Sequence, residues 1–305
     1  MPSMKHSYRD IHGILLLDKP QGLSSNQALQ KARRLFGASK AGHTGSLDPL
    51  ATGLLPVCFG EATKIAGYLL GASKAYRARV VLGVTTNTDD AEGEVLQKRA
   101  VPPLDIAAIE QALAPLRGRI VQVPPAYSAI KQGGVPLYKR ARRGEEVTVP
   151  AREVDVHSLQ LVELGDSDLV LDVECGSGTY VRSLARDLGE RLGCGAHLSA
   201  LRRLWVEPFR APRMYTLDEL QKLREDGGEP ALQALLLPLE EGLQGLPGIQ
   251  VSPEQAQQLQ QGKRWCQDGL RAVDLARALD DGQRLVALVR IDAAGEVAVV
   301  RGFNR

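Results

Sequence analysis

Aromatic side chains are scarce in this chain: phenylalanine, tryptophan and tyrosine together make up 4% of its 305 residues. A core built from it must be aliphatic, so any tyrosine set among glycines and polar residues invites a functional explanation. Long apolar runs are missing too. No stretch approaches the roughly 18–20 residues that cross a bilayer. The start, Met1-Pro2-Ser3-Met4-Lys5-His6, has no apolar segment of the kind that directs secretion. The four cysteines, Cys58, Cys175, Cys194 and Cys266, lack C-x-x-C spacing. Reduced, partly buried thiols are expected, in a cytoplasmic protein without metal or disulfide.

What is present is an ordinary globular composition, 44% hydrophobic and 24% charged. The length suits two domains, or one large domain with a small appendage. Net charge is only +2, but it is unevenly spread. Residues 214–260 hold eight acids against two bases, which leaves an excess of eight positive charges on the rest. Basic clusters lie at Lys31, Arg33, Arg34 and Lys40, at Lys139, Arg140, Arg142 and Arg143, and at Arg202, Arg203, Arg210 and Arg213. Each alone reads as a solvated face; three together suit a polyanion.

Periodicity predicts an α/β chain. Ile14–Leu17 reads as a buried strand, and Ser24 or Ser25 can cap a helix over 26–36 that Gly37 stops. A Gly-rich loop spans 38–53, and a helix is expected over 61–70. Residues 76–84 alternate as a strand, turn over 85–93 and return near 94–97. Asp105 caps a helix to about Leu116. Residues 124–150, with Pro124-Pro125, Gly133-Gly134, Pro136 and then a basic run, read as a surface excursion. Strands follow at 154–164 and 169–175, then Gly176-Ser177-Gly178 turns into a helix over 180–192. Thr216-Leu217-Asp218-Glu219 is a capping box. The acidic stretch at 227–250 reads as a domain boundary. Beyond it lie a helix over 253–261 and a hairpin of 284–291 with 297–303.

The informative segment is Gly42-His43-Thr44-Gly45-Ser46-Leu47-Asp48-Pro49-Leu50-Ala51-Thr52-Gly53. Its glycines allow backbone shapes that other residues resist, and Pro49 biases Asp48 toward an extended conformation. An Asp-Pro pair alone is usually a turn former, but a long Gly-rich loop that also carries a histidine is more often functional. Gly176-Ser177-Gly178-Thr179-Tyr180-Val181-Arg182 is a glycine turn feeding a helix. Such a turn could bind a phosphate, but it lacks the ending of a nucleotide-binding loop and the full dinucleotide fingerprint, so on local chemistry the structural turn is the favoured reading.

The Asp48 loop, continued through Gly60-Glu61-Ala62-Thr63-Lys64, resembles the catalytic motif of the TruB family, the bacterial tRNA pseudouridine-55 synthases. Asp18-Lys19-Pro20-Gln21-Gly22, Lys74-Ala75-Tyr76, Pro124-Pro125-Ala126-Tyr127-Ser128-Ala129-Ile130-Lys131, Gly178-Thr179-Tyr180-Val181-Arg182 and Leu201-Arg202-Arg203 resemble further motifs of that family, in its order. The resemblance spans roughly residues 11–213. Ser24 and Ser46 stand where threonine is common in the family, and Leu204 and Glu207 where Thr and Gly are expected.

The resemblance implies a mixed-sheet pseudouridine synthase catalytic domain over 1–246, with an RNA-gripping insertion at 124–152. A small β-rich, PUA-like RNA-binding domain would occupy 247–305. It implies conversion of uridine-55 in the tRNA T-loop to pseudouridine, with no cofactor because no redox change occurs. It also implies a monomer with no obligatory protein partner. Asp48 would be the nucleophile, Arg182 its counter-ion, and Tyr76 the residue that stacks on the flipped base. His43, Lys64, Tyr180 and Leu201 would bind substrate, and Lys19, Lys131, Arg140, Arg142 and Arg143 the RNA backbone. A non-catalytic RNA-binding module and a guide-dependent synthase are the rival readings. Intact Asp48, Tyr76 and Arg182 argue against the first, and the basic insertion against the second.

Overall fold

The computed structural model describes residues 8–303 apart from 72, 129, 142 and 146. β1 (Gly13–Lys19) is an apolar run buried on both faces, as a strand without polar alternation must be. α1 (Ser25–Phe36) begins at a capping box between Ser24 and Gln27 and ends at Gly37, φ 63°. Then come β2 (Ala41–His43), β3 (Thr52–Phe59), a 3₁₀ turn over Gly60–Lys64, α2 (Ala66–Leu70), β4 (Lys74–Leu82), and a hairpin of β5 (Val84–Thr86) and β6 (Val95–Lys98). The helix expected over 61–70 is thus broken. The Thr63 hydroxyl bonds back to the Gly60 carbonyl at 2.8 Å and competes for the acceptor that a continuous α-helix would use.

α3 (Ile106–Leu113) starts on Asp105, whose side chain accepts from the Ala108 amide. β7 (Gly118–Gln122) leads into the excursion, which holds a small hairpin of β8 (Lys131–Gln132) and β9 (Val135–Pro136), then α4 (Leu137–Ala141). β10 (Arg152–Leu164), β11 (Asp168–Cys175), α5 (Val181–Arg191), β12 (Ala196–Val206) and α6 (Leu217–Gln233) complete the body. The last part comprises β13 (Gly248–Gln250), α7 (Pro253–Gln260), β14 (Trp265–Cys266), β15 (Val273–Leu279), β16 (Leu285–Ile291) and β17 (Glu296–Gly302).

Among the described residues the body forms a sheet in the order β1-β3-β12-β4-β11-β10-β7, with β2 beside β3. Only β3 and β12 run parallel; the other pairs in this sheet are antiparallel. The register places Leu17, Leu55, Gly53, Arg203, Leu201, Tyr76, Ala78 and Val173 on one face. α1 and α6 cover the β1–β3 end of that face. α3 and α5 cover the β4–β10 end. Between the two helical layers the sheet is left open. On the opposite face β4 and β11 are laced by Arg77–Asp172 and Arg79–Asp168 ion pairs, while Ile14, Leu16, Leu54 and Cys58 pack against Leu279, Leu285, Leu288 and Phe303. The C-terminal strands form their own sheet, β13-β15-β16-β17-β14, with its own apolar cluster. No helix among the described residues is long and apolar enough to cross a membrane.

Candidate active site

The opening in the sheet's helical face is a cleft of about 430 Å³ lined by Asp48, Tyr76, Tyr180, Arg182, Leu201 and Arg203, among others. Three elements and one loop converge on it. Tyr76 comes from the start of β4, Leu201 and Arg203 from β12, Arg182 from the first turn of α5, and Asp48 from the loop between β2 and β3. A larger groove of about 1080 Å³ lies between α1, the start of α6 and the end of β1. It lacks Asp48, Tyr76 and Arg182, all of which line the smaller cleft.

The Asp48 loop is held from below. The Ser25 hydroxyl accepts from the Leu47 amide at 2.7 Å and donates to its carbonyl at 3.0 Å. The Gly22 amide donates to the Pro49 carbonyl at 2.8 Å. Gly53 is the hinge into β3. Its φ is +95°, and a Cβ there would meet the Arg203 carbonyl at 2.2 Å, so only glycine lets β3 pass this close to β12. Gly45 also sits at positive φ, 68°, beneath the Arg203 guanidinium.

One Arg182 amine lies 2.9 Å from the Asp48 carboxylate and donates to the Tyr127 carbonyl at 3.0 Å. The other donates to the Thr88 carbonyl at 2.9 Å and lies 3.4 Å from Asp90. Arg182 and Asp90 are both nearly sealed from solvent, whereas 46% of the Asp48 side chain faces the cleft. Crowding by protein pushes the Asp48 carboxyl above its ordinary range, Arg182 pulls it back, and the Asp90 charge pushes it up again. Water in the open cleft moderates that push; a base filling the cleft would remove the water and strengthen every charge in it. Burial likewise raises the Tyr76 hydroxyl, and the nearby Arg203 guanidinium pulls it back. Arg203 is completely buried and donates to the Leu54 carbonyl at 2.6 Å and the Gly45 carbonyl at 3.0 Å.

The cleft therefore brings together five of the residues singled out from sequence: Asp48, Tyr76, Tyr180, Arg182 and Leu201. Others lie elsewhere. Lys19 is fully buried, with its ammonium on the carbonyls of Pro20 at 2.8 Å and Leu23 at 2.5 Å. Burial lowers its pKa to about 8. There it braces the turn under the Asp48 loop. Lys64 does not line the cleft. It pairs with Glu61 at 2.6 Å, donates to the Gly302 carbonyl at 3.0 Å and lies over the Phe303 ring, tying the body to the C-terminal part. His43 sits on β2, half-buried, with Nδ1 buried and without a hydrogen-bond partner among the described residues. Burial and the nearby Arg203 hold it below its usual pKa.

In the excursion, Arg140 pairs with Glu145 at 2.6 Å and donates to Gln132, while Arg143 is 68% exposed and 3.9 Å from Glu145. Arg142 and the side chain of Lys131 lie outside the described residues. The third basic cluster is largely engaged within the protein, since Arg203 is buried and Arg202 makes a two-pronged pair with Asp18 at 2.7 and 3.0 Å. Cys266 is exposed, unlike the other three cysteines.

Asp90, Ser25, Arg152 and the inward role of Arg203 escape a sequence reading. Asp90 sits in an acidic hairpin turn that looks merely solvated. A signal for Arg203 does exist, because in a strand it must share a face with Leu201.

Two family models match the chain: TruB family pseudouridylate synthase (N terminal domain) over residues 33–181, and tRNA pseudouridylate synthase B C-terminal domain over 182–244. The chain is 58% identical to tRNA pseudouridine synthase B of Xanthomonas axonopodis pv. citri, over 97% of this chain and 96% of that protein. It is 55% identical to the protein of the same name from Xylella fastidiosa, over 98% of each. With that of Stutzerimonas stutzeri the identity is 47%, over 98% of this chain and 97% of that one. Among solved structures, a chain of an H/ACA RNP bound to a substrate RNA containing 2′-deoxyuridine superposes with TM-score 0.74 at 24% identity, covering 100% of this chain and 88% of that one. A chain of an archaeal box H/ACA sRNP complex gives 0.73 at 24%, covering 99% and 89%. At that identity the structural likeness speaks for the fold alone.

Proposed function

The chain belongs to the TruB family of tRNA pseudouridine synthases, and from that membership we propose that it isomerises uridine-55 of the tRNA T-loop, with Asp48 as nucleophile. The observation that carries the proposal is the pair formed by the cleft-facing Asp48 carboxylate and the buried Arg182 guanidinium, 2.9 Å apart. A nucleophilic carboxylate must stay ionised in a site that closes over its substrate, and a fixed guanidinium favours the ionised form.

The target uridine leaves its stack to enter the cleft, at a cost of a few kcal/mol that the pocket must offset. Tyr76, Tyr180 and Leu201 supply the walls that receive it. Asp48 then attacks, at the ribose C1′ or at ring C6. The N1–C1′ bond breaks, the base turns, and a C5–C1′ bond forms. The proton on C5 leaves to solvent and N1 gains one, so the step is an isomerisation with no electron donor or acceptor. The Tyr76 hydroxyl, with the Arg203 guanidinium nearby, takes part in the proton transfer at C5. The excursion at 124–152 grips the T-arm through Arg140, Arg142, Arg143 and Lys131. The C-terminal part at 247–305 acts as a PUA-like RNA-binding domain. The chain works as a monomer without a guide RNA.

The test is tritium release from unmodified tRNA labelled at uracil C5, with no guide RNA added. Release by the wild type and none by Asp48→Asn, with tRNA affinity retained, is the expected result. A wild type that binds tRNA without releasing tritium would favour a non-catalytic RNA-binding module.

A further inference from the structure

α5 carries Arg182 but has no cap of its own. Its N-cap residue is Tyr180, which makes no side-chain capping bond, and uncapped first-turn amides need partners from elsewhere. Gln122, at the end of β7, reaches that helix start from across the fold. The Tyr180 amide donates to Gln122 Oε1 at 2.8 Å, and Gln122 Nε2 donates to the Tyr180 carbonyl at 3.1 Å. One carboxamide thus satisfies both backbone groups of one residue, and it does so with no exposed surface at all. A buried amide used in this way is costly to leave half-satisfied, which makes the geometry tightly specified.

Its cross-strand neighbour acts on the same residue. Arg152 stands directly opposite Gln122 in the β7–β10 ladder, lays its guanidinium over the Tyr180 ring at 5.1 Å and donates to the Gly178 carbonyl. Further bonds close the seam. Ser183 Oγ and an Arg186 amine each donate to the Val123 carbonyl at 2.9 Å, and Arg182 itself donates to that of Tyr127.

We propose that Gln122 is a positioning residue for pseudouridine formation, fixing Tyr180 as a wall of the cleft and Arg182, two residues on, in register with Asp48. It does not touch the reacting atoms; it acts through the Tyr180 backbone. This rests on the reading of the cleft as a pseudouridylation site.

The experiment compares wild type, Gln122→Leu, Gln122→Glu and Ser183→Ala for tRNA dissociation constant and for single-turnover rate of pseudouridine formation at saturating enzyme. Gln122→Leu removes both bonds at similar volume. Gln122→Glu keeps the acceptor and sets an oxygen against the Tyr180 carbonyl. Ser183→Ala loosens the same seam without releasing Tyr180. In both Gln122 variants the rate falls by about 10- to 100-fold, the effect of a small misplacement of reacting groups, while affinity stays within about twofold and Ser183→Ala remains near wild type in rate. Should Gln122→Leu fail to fold, the Glu variant alone decides. Unchanged rates, a rate loss matched by an equal affinity loss, or an equal rate loss in Ser183→Ala would each overturn the assignment. An inactive wild type would instead defeat the reading of the site itself.

Discussion

Arg182 serves two carboxylates and two carbonyls at once. Lysine carries its donors on a single nitrogen and cannot span four partners. Arg182→Lys is therefore expected to lower the single-turnover rate by about 100-fold or more, measurable with tRNA at saturating enzyme. The second carboxylate sets the pH behaviour. In the proposed mechanism Asp48 must be ionised to attack, and its carboxyl is held above the usual carboxylate range. The rate should therefore fall as pH drops through that raised value. The Asp90 charge is one cause of the rise, so Asp90→Asn should move the acid limb of the rate profile to lower pH; a limb that moves upward would contradict this origin. Residues that belong to a motif, such as Asp48, Tyr76 and Arg182, are legible in the sequence because their neighbours are unusual. Asp90 is not, because an acid in a hairpin turn is ordinary until a fold places an arginine behind it. The burial of Lys19 is hidden from the sequence for a related reason. Charge is visible in a sequence, but whether carbonyls surround it is not.

At the level of elements, capping signals translate well. Ser24, Asp105 and Thr216 each start the helix expected of them, since a cap is local chemistry. β3 and β12 are not legible in the same way. β3 contains Pro56 and Gly53, which argue against a central strand, yet it is buried along most of its length between β1 and β12. β12 hides under a basic motif, and its partners lie far away in sequence. The close approach of these two strands makes Gly53 a sensitive point. Gly53→Ala would place a side chain in left-handed backbone and against the Arg203 carbonyl. The backbone strain alone costs about 1–3 kcal/mol, and denaturant unfolding should show at least that loss.

Over the whole molecule, the division near residue 246 is a division of sheets but not of packing. Leu279, Leu285, Leu288 and Phe303 pack in one cluster with Ile14, Leu16 and Leu54 of the body. A chain ending at residue 246 would expose that apolar face, and its melting temperature should drop along with any loss of RNA affinity. The acidic composition that suggests a domain boundary hides this, because composition reports solvation and not what a sheet's second face rests on. The excursion shows the reverse case, in which exposed charge is legible but its pairing is not. Glu145 already engages Arg140, leaving the exposed Arg143 as the better phosphate ligand. Arg143→Ala should weaken tRNA binding and make its logarithmic salt dependence shallower by about 0.7–0.9, the share of a single phosphate. The cleft also has an order of assembly during synthesis. Asp48 leaves the ribosome early, but its ion-pair partner Arg182 and the buried Arg203 of the cleft arrive only with α5 and β12. In the proposed mechanism a nascent chain is therefore chemically silent toward RNA until almost the whole sheet has been made, and any shortened product that ends before Arg203 would carry Asp48 without forming pseudouridine.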